Sequence, residues 1–160
     1  MSERFWLVKS EPEVFSIADL AKAKSSGWEG VRNFQARNTM RDDMKPGELV
    51  LFYHSNAKPS GIAGLAKVKG APVPDPTQFD PKSEYYDATS PRDEPRWVMV
   101  NLAFVERFAE VLPLETLKAD KALVGMPLLQ KGQRLSVQPV TAAQFAHVLK
   151  LSKSKTKVPS

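Results

Sequence analysis

Prolines are concentrated in one stretch of this chain, and that stretch limits the folds open to it. Six of the thirteen prolines fall between Pro72 and Pro95 in a sequence of 160 residues. Proline lacks a backbone N–H and fixes φ, so this stretch cannot be a central strand or a long helix. A loop this long inside a compact domain is usually functional or a lid. Its aromatic residues Phe79, Tyr85 and Tyr86 predict that it packs onto the rest of the domain.

The remaining composition is typical of a single soluble domain. Hydrophobic residues make up 42% of the chain and charged residues 26%, and a chain of this length can bury a core. The absence of cysteine excludes disulfides, thiolate nucleophiles and cysteine-ligated zinc. The apolar runs are far shorter than the ~20 residues that span a bilayer, and the N-terminus has no signal-peptide pattern. We therefore expect a cytoplasmic monomer that does not contact membranes.

The net charge of +5 is concentrated at the C-terminal end. Four lysines and no acidic residue lie between Lys150 and Ser160, which leaves only +1 for the rest of the chain. We therefore predict one domain at residues 1–150 and a flexible basic tail at residues 151–160. Overall basicity is then weak support for nucleic-acid binding, and a local basic patch has to carry that argument.

Short strands and short helices alternate along the predicted domain. Runs of β-branched and aromatic residues predict strands at 5–10, 49–55, 62–69, 96–108 and 135–140. Capping residues at Ser16, Asn33 and Thr141 and helical composition predict helices at 17–24, 34–44, 114–119 and 142–149. This pattern indicates an α+β domain with a mainly antiparallel, barrel-like sheet and short peripheral helices.

Few residues of this chain suit catalysis. His54 and His147 are far apart in the sequence, no cluster has metal-ligand spacing, and phosphate-binding glycine motifs are absent, so we expect neither a metal nor a cofactor. Lys9 and Glu11, at the end of the first strand, are the best candidates for an acid and a base. The other interpretation of this pair is an ion pair beside the turn at Pro12.

The stretch from Trp28 to Arg41 is the most informative part of the sequence for binding. Arg32 and Arg37 lie close to Asn33 and follow the indole of Trp28. Guanidinium groups suit phosphates, amides read base edges, and aromatic rings stack on bases. The other interpretation is an ordinary helix with solvated arginines and a core tryptophan, and these residues alone do not decide between the two.

Several segments, taken in order, resemble the signature blocks of the EVE domain family. They are Trp6–Pro12, Trp28–Asn38, Phe52–Asn56, Tyr85–Asp87 and Arg134–Val140. The resemblance covers about residues 4–149; Phe34 stands where tyrosine is common and Glu29 where aspartate is common. It implies a PUA-like fold with a pocket between the barrel and residues 28–37. It also implies binding of a modified cytosine in DNA, or of modified RNA, without catalysis.

The predicted function is therefore recognition of a modified nucleobase that is flipped into an aromatic and polar pocket. The predicted base-pocket residues are Lys9, Ser10, Trp28, Val31, Asn33, Tyr53, His54, Ser55, Trp97, Ser136 and Gln138. The predicted phosphate-binding residues are Arg32, Arg37 and Arg134. Two alternatives stay open: a small amidohydrolase-like enzyme acting on modified cytidine through Lys9 and Glu11, and a binder of a small metabolite or a partner protein.

Overall fold

The five predicted strands and one further short strand pair into one six-stranded sheet. The computed structural model describes residues 4–130 and 135–156. Its strands are β1 (Phe5–Ser10), β2 (Ser25–Gly27), β3 (Leu49–His54), β4 (Gly61–Pro74), β5 (Val98–Pro113) and β6 (Val137–Val140). Their order across the sheet is β2-β5-β4-β3-β1-β6. The β1–β3 pair is parallel and the other neighbours are antiparallel, so the sheet is mixed.

The sheet is open, and the prediction of a barrel-like sheet is wrong. Strands β2 and β6 lie at opposite ends of the strand order, and within the described residues no pairing joins them. A sheet can bury its apolar side chains by closing into a barrel or by packing other elements against both of its faces. Here both faces are covered. Phe5 and Leu7 belong to one buried cluster, whereas Trp6 and Val8 on the same strand belong to a second one.

The helices cover the two faces of the sheet. They are α1 (Ile17–Ala23), α2 (Phe34–Asn38), α3 (Leu114–Ala119) and α4 (Ala142–Ser152). Phe145 of α4 packs in the cluster with Leu7, and Leu20 of α1 packs in the cluster with Val8. The predicted N-caps are confirmed at Ser16 and Thr141, each within a capping box. The α-helix predicted for residues 34–44 is shorter, because Thr39–Asp43 forms a π-helical turn.

The proline-rich segment begins as strand and continues as a packed loop. Strand β4 extends through Pro74, so the end predicted for this strand at residue 69 is wrong. Strand β3 begins opposite Lys67, so the last residues of β4 pair only with β5 among the described strands. One side of β4 is therefore unpaired there, and prolines, which lack an N–H, are tolerated. The rest of the segment packs onto the domain, as predicted. The buried Gln78 donates to the carbonyl oxygens of Asp75 and Trp97, both at 2.7 Å.

The first part of the predicted tail is docked on the domain. Helix α4 extends through Ser152, and the hydroxyls of Ser154 and Thr156 donate to the carboxylate of Glu106 on β5. The backbone N–H of Lys155 donates to the same carboxylate at 3.0 Å. The prediction of a free tail is therefore wrong for residues 151–156, and residues 157–160 lie outside the described part of the chain. Over the described ranges, no helix is long and apolar enough to cross a membrane.

Candidate functional site

A cavity of 480 Å³ opens where the end of β1 meets the connection between β2 and α2. That volume lies within the range of small-molecule sites in proteins. The lining residues are Lys9, Ser10, Glu11, Val14, Phe15, Ser26, Gly27, Trp28, Glu29, Gly30, Val31, Arg32, Asn33, Tyr85 and Ser136. Seven predicted site residues are thus brought together: Lys9, Ser10, Trp28, Val31, Arg32, Asn33 and Ser136.

Trp28 gives the cavity an aromatic wall. The side chain is half-buried, and its ring meets the ring of Phe52 edge to face at 5.5 Å. Its backbone N–H donates to the carbonyl oxygen of Val100 on β5 at 2.8 Å. The indole is therefore held by the core while part of it faces the cavity. This is the arrangement that a stacking surface requires.

The backbone beside Trp28 is held in place by the buried carboxylate of Asp75. The Gly30 N–H donates to Asp75 Oδ2 at 2.7 Å. A side chain at Gly30 is excluded, because its φ is +81° and a Cβ atom would lie 2.7 Å from the ring of Tyr85. Burial acts to raise the pKa of Asp75, but hydrogen bonds from Thr77, Gly30 and Arg32 outweigh it and hold that pKa below its ordinary value.

Arg32 lines the cavity, but its guanidinium serves the fold. Its five N–H groups donate to the carbonyl oxygens of Val31 and Tyr85, to Asp75 Oδ2 and to Thr77 Oγ1. The guanidinium also lies over the ring of Tyr85 at 5.5 Å and over that of Trp97 at 5.1 Å. Since no N–H is left for a ligand, the predicted phosphate contact of Arg32 is replaced by a structural role.

Asn33 has one half of its amide engaged and the other half free. Its Oδ1 accepts from the backbone N–H of Ala36 at 3.0 Å and so caps α2, as predicted. Among the described residues, none accepts a hydrogen bond from its Nδ2. The side chain is exposed and lines the cavity, so the amide N–H groups are available to a ligand.

Hydroxyl and ammonium groups complete the cavity from the strand side. The Lys9 N–H donates to the carbonyl oxygen of Ser136 at 3.0 Å, which places Ser136 beside the end of β1. The Ser10 hydroxyl donates to the carbonyl oxygen of Phe15 at 2.6 Å and keeps its lone pairs as acceptors. Partial burial lowers the pKa of Lys9. Glu11 Oε1 accepts a hydrogen bond from the Asn56 amide.

Six predicted site residues lie outside the cavity lining. Four of them serve the fold. Tyr53 is buried in the core cluster that contains Leu7, and His54 Nε2 accepts from the Ile17 N–H at 3.1 Å. The backbone N–H of Ser55 donates to the carbonyl oxygen of Ser10. Gln138 is buried, and its side-chain amide donates to the carbonyl oxygen of Leu135. The other two, Trp97 and Arg37, pack together with Phe34 on the neighbouring surface. Arg134 lies outside the described residues.

Sequence reasoning missed several lining residues and also Asp75, which holds two of them in place. Tyr85 was predicted to pack onto the body, yet no pattern indicated that it faces Gly30 across this cavity. Asp75 was missed because its role depends on contacts with residues more than forty positions away. The nearest sequence signal was its place in the proline-rich segment, which predicted a functional loop. Within the described ranges, no group of His, Asp and Glu side chains could hold a metal ion.

Comparisons with known proteins agree with this fold. The family model described as the EVE domain matches residues 4–151. Human thymocyte nuclear protein 1 is 46% identical over 94% of this chain and 74% of its own length. A solved structure of a hypothetical protein from Leishmania major is 47% identical, with a TM-score of 0.90 over 95% of this chain and 96% of that one.

A further solved structure carries a ligand. It is the human THYN1 protein in complex with DNA containing 5-methylcytosine, at 42% identity and a TM-score of 0.86, covering 96% of this chain and all of that one. The fold and the matched residues define an EVE domain, a small single-domain module built on a mixed sheet. The chain belongs to the EVE domain family, and human thymocyte nuclear protein 1 is among its relatives.

Proposed function

We propose that this chain binds a modified cytosine of a nucleic acid in the cavity beside Trp28 and leaves the base chemically unchanged. One observation carries the proposal: an indole, a free amide and two hydroxyls line the same cavity in an EVE domain. The complex of the human THYN1 protein with DNA containing 5-methylcytosine supports the same class of ligand here.

The lining groups match what a flipped base needs. Removing a base from its stack costs a few kcal/mol, which stacking and hydrogen bonds have to offset. Trp28 offers the stacking surface, and the Asn33 amide offers N–H donors to the ring nitrogen or carbonyl oxygen of a cytosine. Val31, Phe15 and Val14 form an apolar wall on which a methyl substituent can pack.

The same geometry favours binding over catalysis. The Ser10 hydroxyl donates to the carbonyl oxygen of Phe15 and not to a base, so it is not arranged as an activated nucleophile. Among the described residues, Lys9 has no acidic partner. The six-stranded sheet with peripheral helices supports placing the domain in the PUA-like group. The monomeric state and the cytoplasmic location stay predictions.

The test is binding to oligonucleotides that differ by a single methyl group on one cytosine. We expect wild type to prefer the methylated oligonucleotide in fluorescence anisotropy titrations. Trp28→Ala should lower that affinity by about 1–3 kcal/mol, the effect of removing a base-stacking ring. Asn33→Ser keeps a side-chain oxygen that can cap α2 but removes the amide, so it should lose the preference at an unchanged melting temperature.

Three outcomes would contradict the proposal. Equal affinity of wild type for the methylated and the plain oligonucleotide would show that the protein does not recognise the modification. Equal affinity for free nucleoside and oligonucleotide would favour a small-metabolite binder. Mass-spectrometric turnover of a modified cytidine by wild type, lost in Glu11→Gln, would favour the enzyme alternative.

A further inference from the structure

An exposed aromatic ring lies next to the cavity and is not part of its lining. Phe34 follows Asn33 directly in the sequence, and its side chain is 54% exposed. Its ring stacks on that of Trp97, with centroids 4.9 Å apart and planes 26° from parallel. Covering an exposed apolar ring of this size removes its area from water, which contributes free energy to any partner that stacks on it.

The ring beneath Phe34 is fixed. Trp97 is buried, its Nε1 donates to Asp87 Oδ2 at 2.8 Å, and its backbone N–H donates to Gln78 Oε1 at 3.0 Å. The phenyl ring of Phe34 is therefore held at a defined angle instead of moving freely at the surface. Such preorganisation lowers the conformational entropy that the Phe34 side chain loses when a partner stacks on it.

Among the described residues, the ring contacts of Phe34 are with Trp97 and Arg37, and the residue is 54% exposed, so the face turned away from Trp97 is open. The Arg37 guanidinium carbon lies 4.8 Å from the Phe34 ring and 6.0 Å from the Trp97 ring. A guanidinium on the far side of Phe34 would be well beyond 6.0 Å from Trp97, so Arg37 sits at the edge of the stack. The ring thus presents one free face with a cation beside it.

The charge beside this ring suits a phosphate. The Arg37 guanidinium is held by Asn38 Oδ1 and by the carbonyl oxygen of Arg96 at 2.9 Å, and it takes part in no ion pair among the described residues. These contacts leave N–H groups free, because a guanidinium carries five. Burial first, and then the positive charge of Arg41, lower the pKa of Arg37.

We propose that the open face of Phe34 is a stacking platform for the base next to the flipped one, and that Arg37 contacts the adjoining phosphate. The inference rests on the proposed function and extends it to a second base. A base whose neighbour has left the stack exposes one face, and an apolar protein ring can cover that face. Stacking of this kind tolerates any sequence, so the platform adds affinity and the cavity supplies the preference for the modification.

The experiment compares Phe34→Ala with wild type on two oligonucleotides with one 5-methylcytosine each. In the first, both neighbouring positions carry bases; in the second, both are abasic. On the first oligonucleotide we expect Phe34→Ala to bind roughly 5- to 150-fold more weakly. On the second, the two proteins should bind alike, because no base remains to stack.

Two further variants separate stacking from folding. Phe34→Leu keeps apolar contact with Trp97 without a flat ring, so it should bind as weakly as Phe34→Ala at a near-wild-type melting temperature. Val124→Ala removes an exposed apolar side chain beside the other core cluster and should bind like wild type. All variants should keep the ratio of affinities for methylated and plain DNA.

Failure of the platform and failure of the proposed function give different results. If Phe34→Ala binds like wild type, or loses affinity equally on the abasic oligonucleotide, the platform is wrong. If wild type does not distinguish methylated from plain cytosine, the proposed function is wrong. If Phe34→Ala and Phe34→Leu both bind the two oligonucleotides as tightly as wild type, the inference is wrong. The exposed ring would then be a candidate contact for a protein partner.

Discussion

Arg32 shows that a cation on the wall of a binding cavity can serve the fold instead of the ligand. Its charge compensates the fully buried Asp75, and its plane lies against Tyr85 and Trp97. Arg37, five positions later, has a similar sequence context but keeps free N–H groups. The sequence offers both as phosphate ligands, and only their surroundings distinguish them.

We predict that Arg32→Gln lowers the free energy of unfolding by about 3–5 kcal/mol, because removing one partner leaves a buried carboxylate uncompensated. Urea unfolding followed by tryptophan fluorescence measures this change. The fraction that remains folded should bind plain DNA with an unchanged dependence on salt concentration.

Arg37→Gln is the matched control. It should leave the unfolding free energy nearly unchanged and weaken plain and methylated DNA alike. It should also reduce the slope of log affinity against log salt by about 0.9, the effect of one lost phosphate contact on duplex DNA. If Arg32→Gln reduces the slope of log affinity against log salt instead, Arg32 contacts a phosphate and its structural role does not exclude that contact.

At the scale of elements, the start of α1 depends on a side chain from the sheet. His54 at the end of β3 accepts the Ile17 N–H through Nε2, which requires the neutral ring. Burial, followed by the positive charge of Arg107, lowers the pKa of His54 below its ordinary value of 6.5. The folded state therefore resists a proton that the unfolded chain accepts.

We predict that stability is highest above pH 6.5 and falls below it, because the unfolded state then binds more protons than the folded state. The loss from this one group is at most about 1.4 kcal/mol at pH 5.5. His54→Gln keeps an acceptor for Ile17 and does not titrate, so its melting temperature should fall less between pH 7.5 and 5.5. If the melting temperatures of wild type and His54→Gln fall by the same amount between pH 7.5 and 5.5, the pH dependence does not come from His54.

Elements with local signals were predicted well. The signals that predict α1 and α4 are capping pairs, and the signal that predicts β1 is its apolar alternation. Each of these signals lies within a few neighbouring residues. Strand β2 and the end of β4 were missed, because Ser25–Gly27 and Pro72–Pro74 have poor strand propensity and become strands only by pairing with β5. The open sheet was missed because strand propensities do not encode which edges remain unpaired.

The candidate site follows the same rule. The segment 28–33 was found from its residue types, and the cavity contains it. Tyr53, His54 and Ser55 were assigned to the pocket because they are polar and end a strand. In the structure Tyr53 is buried in the core, the His54 ring accepts from the start of α1, and the Ser55 backbone pairs with the end of β1. Tyr85 and Asp75 could not be predicted, because their roles exist only once a distant loop has docked.

At the scale of the whole molecule, the C-terminal lysines set the long-range charge. We predict that deleting residues 153–160, which removes three lysines, weakens binding of methylated and plain DNA equally and lowers the salt slope. Electrophoretic mobility shifts at several salt concentrations measure both. Replacing Ser154 and Thr156 with alanine removes two hydroxyl donors to Glu106 but keeps the lysines, so that control should retain wild-type affinity. Loss of methyl preference in the deletion would show that the tail helps to form the site.

The place of β1 in the sheet determines when a newly made molecule becomes competent. The first strand lies between β3 and the last strand, β6, and the carbonyl of Ser136 fastens the cavity wall to Lys9. A chain that stops before residue 136 contains β1 to β5 but lacks this wall. The cavity is therefore complete only once Ser136 has been made and has come to lie beside β1, although most of the lining residues precede residue 34.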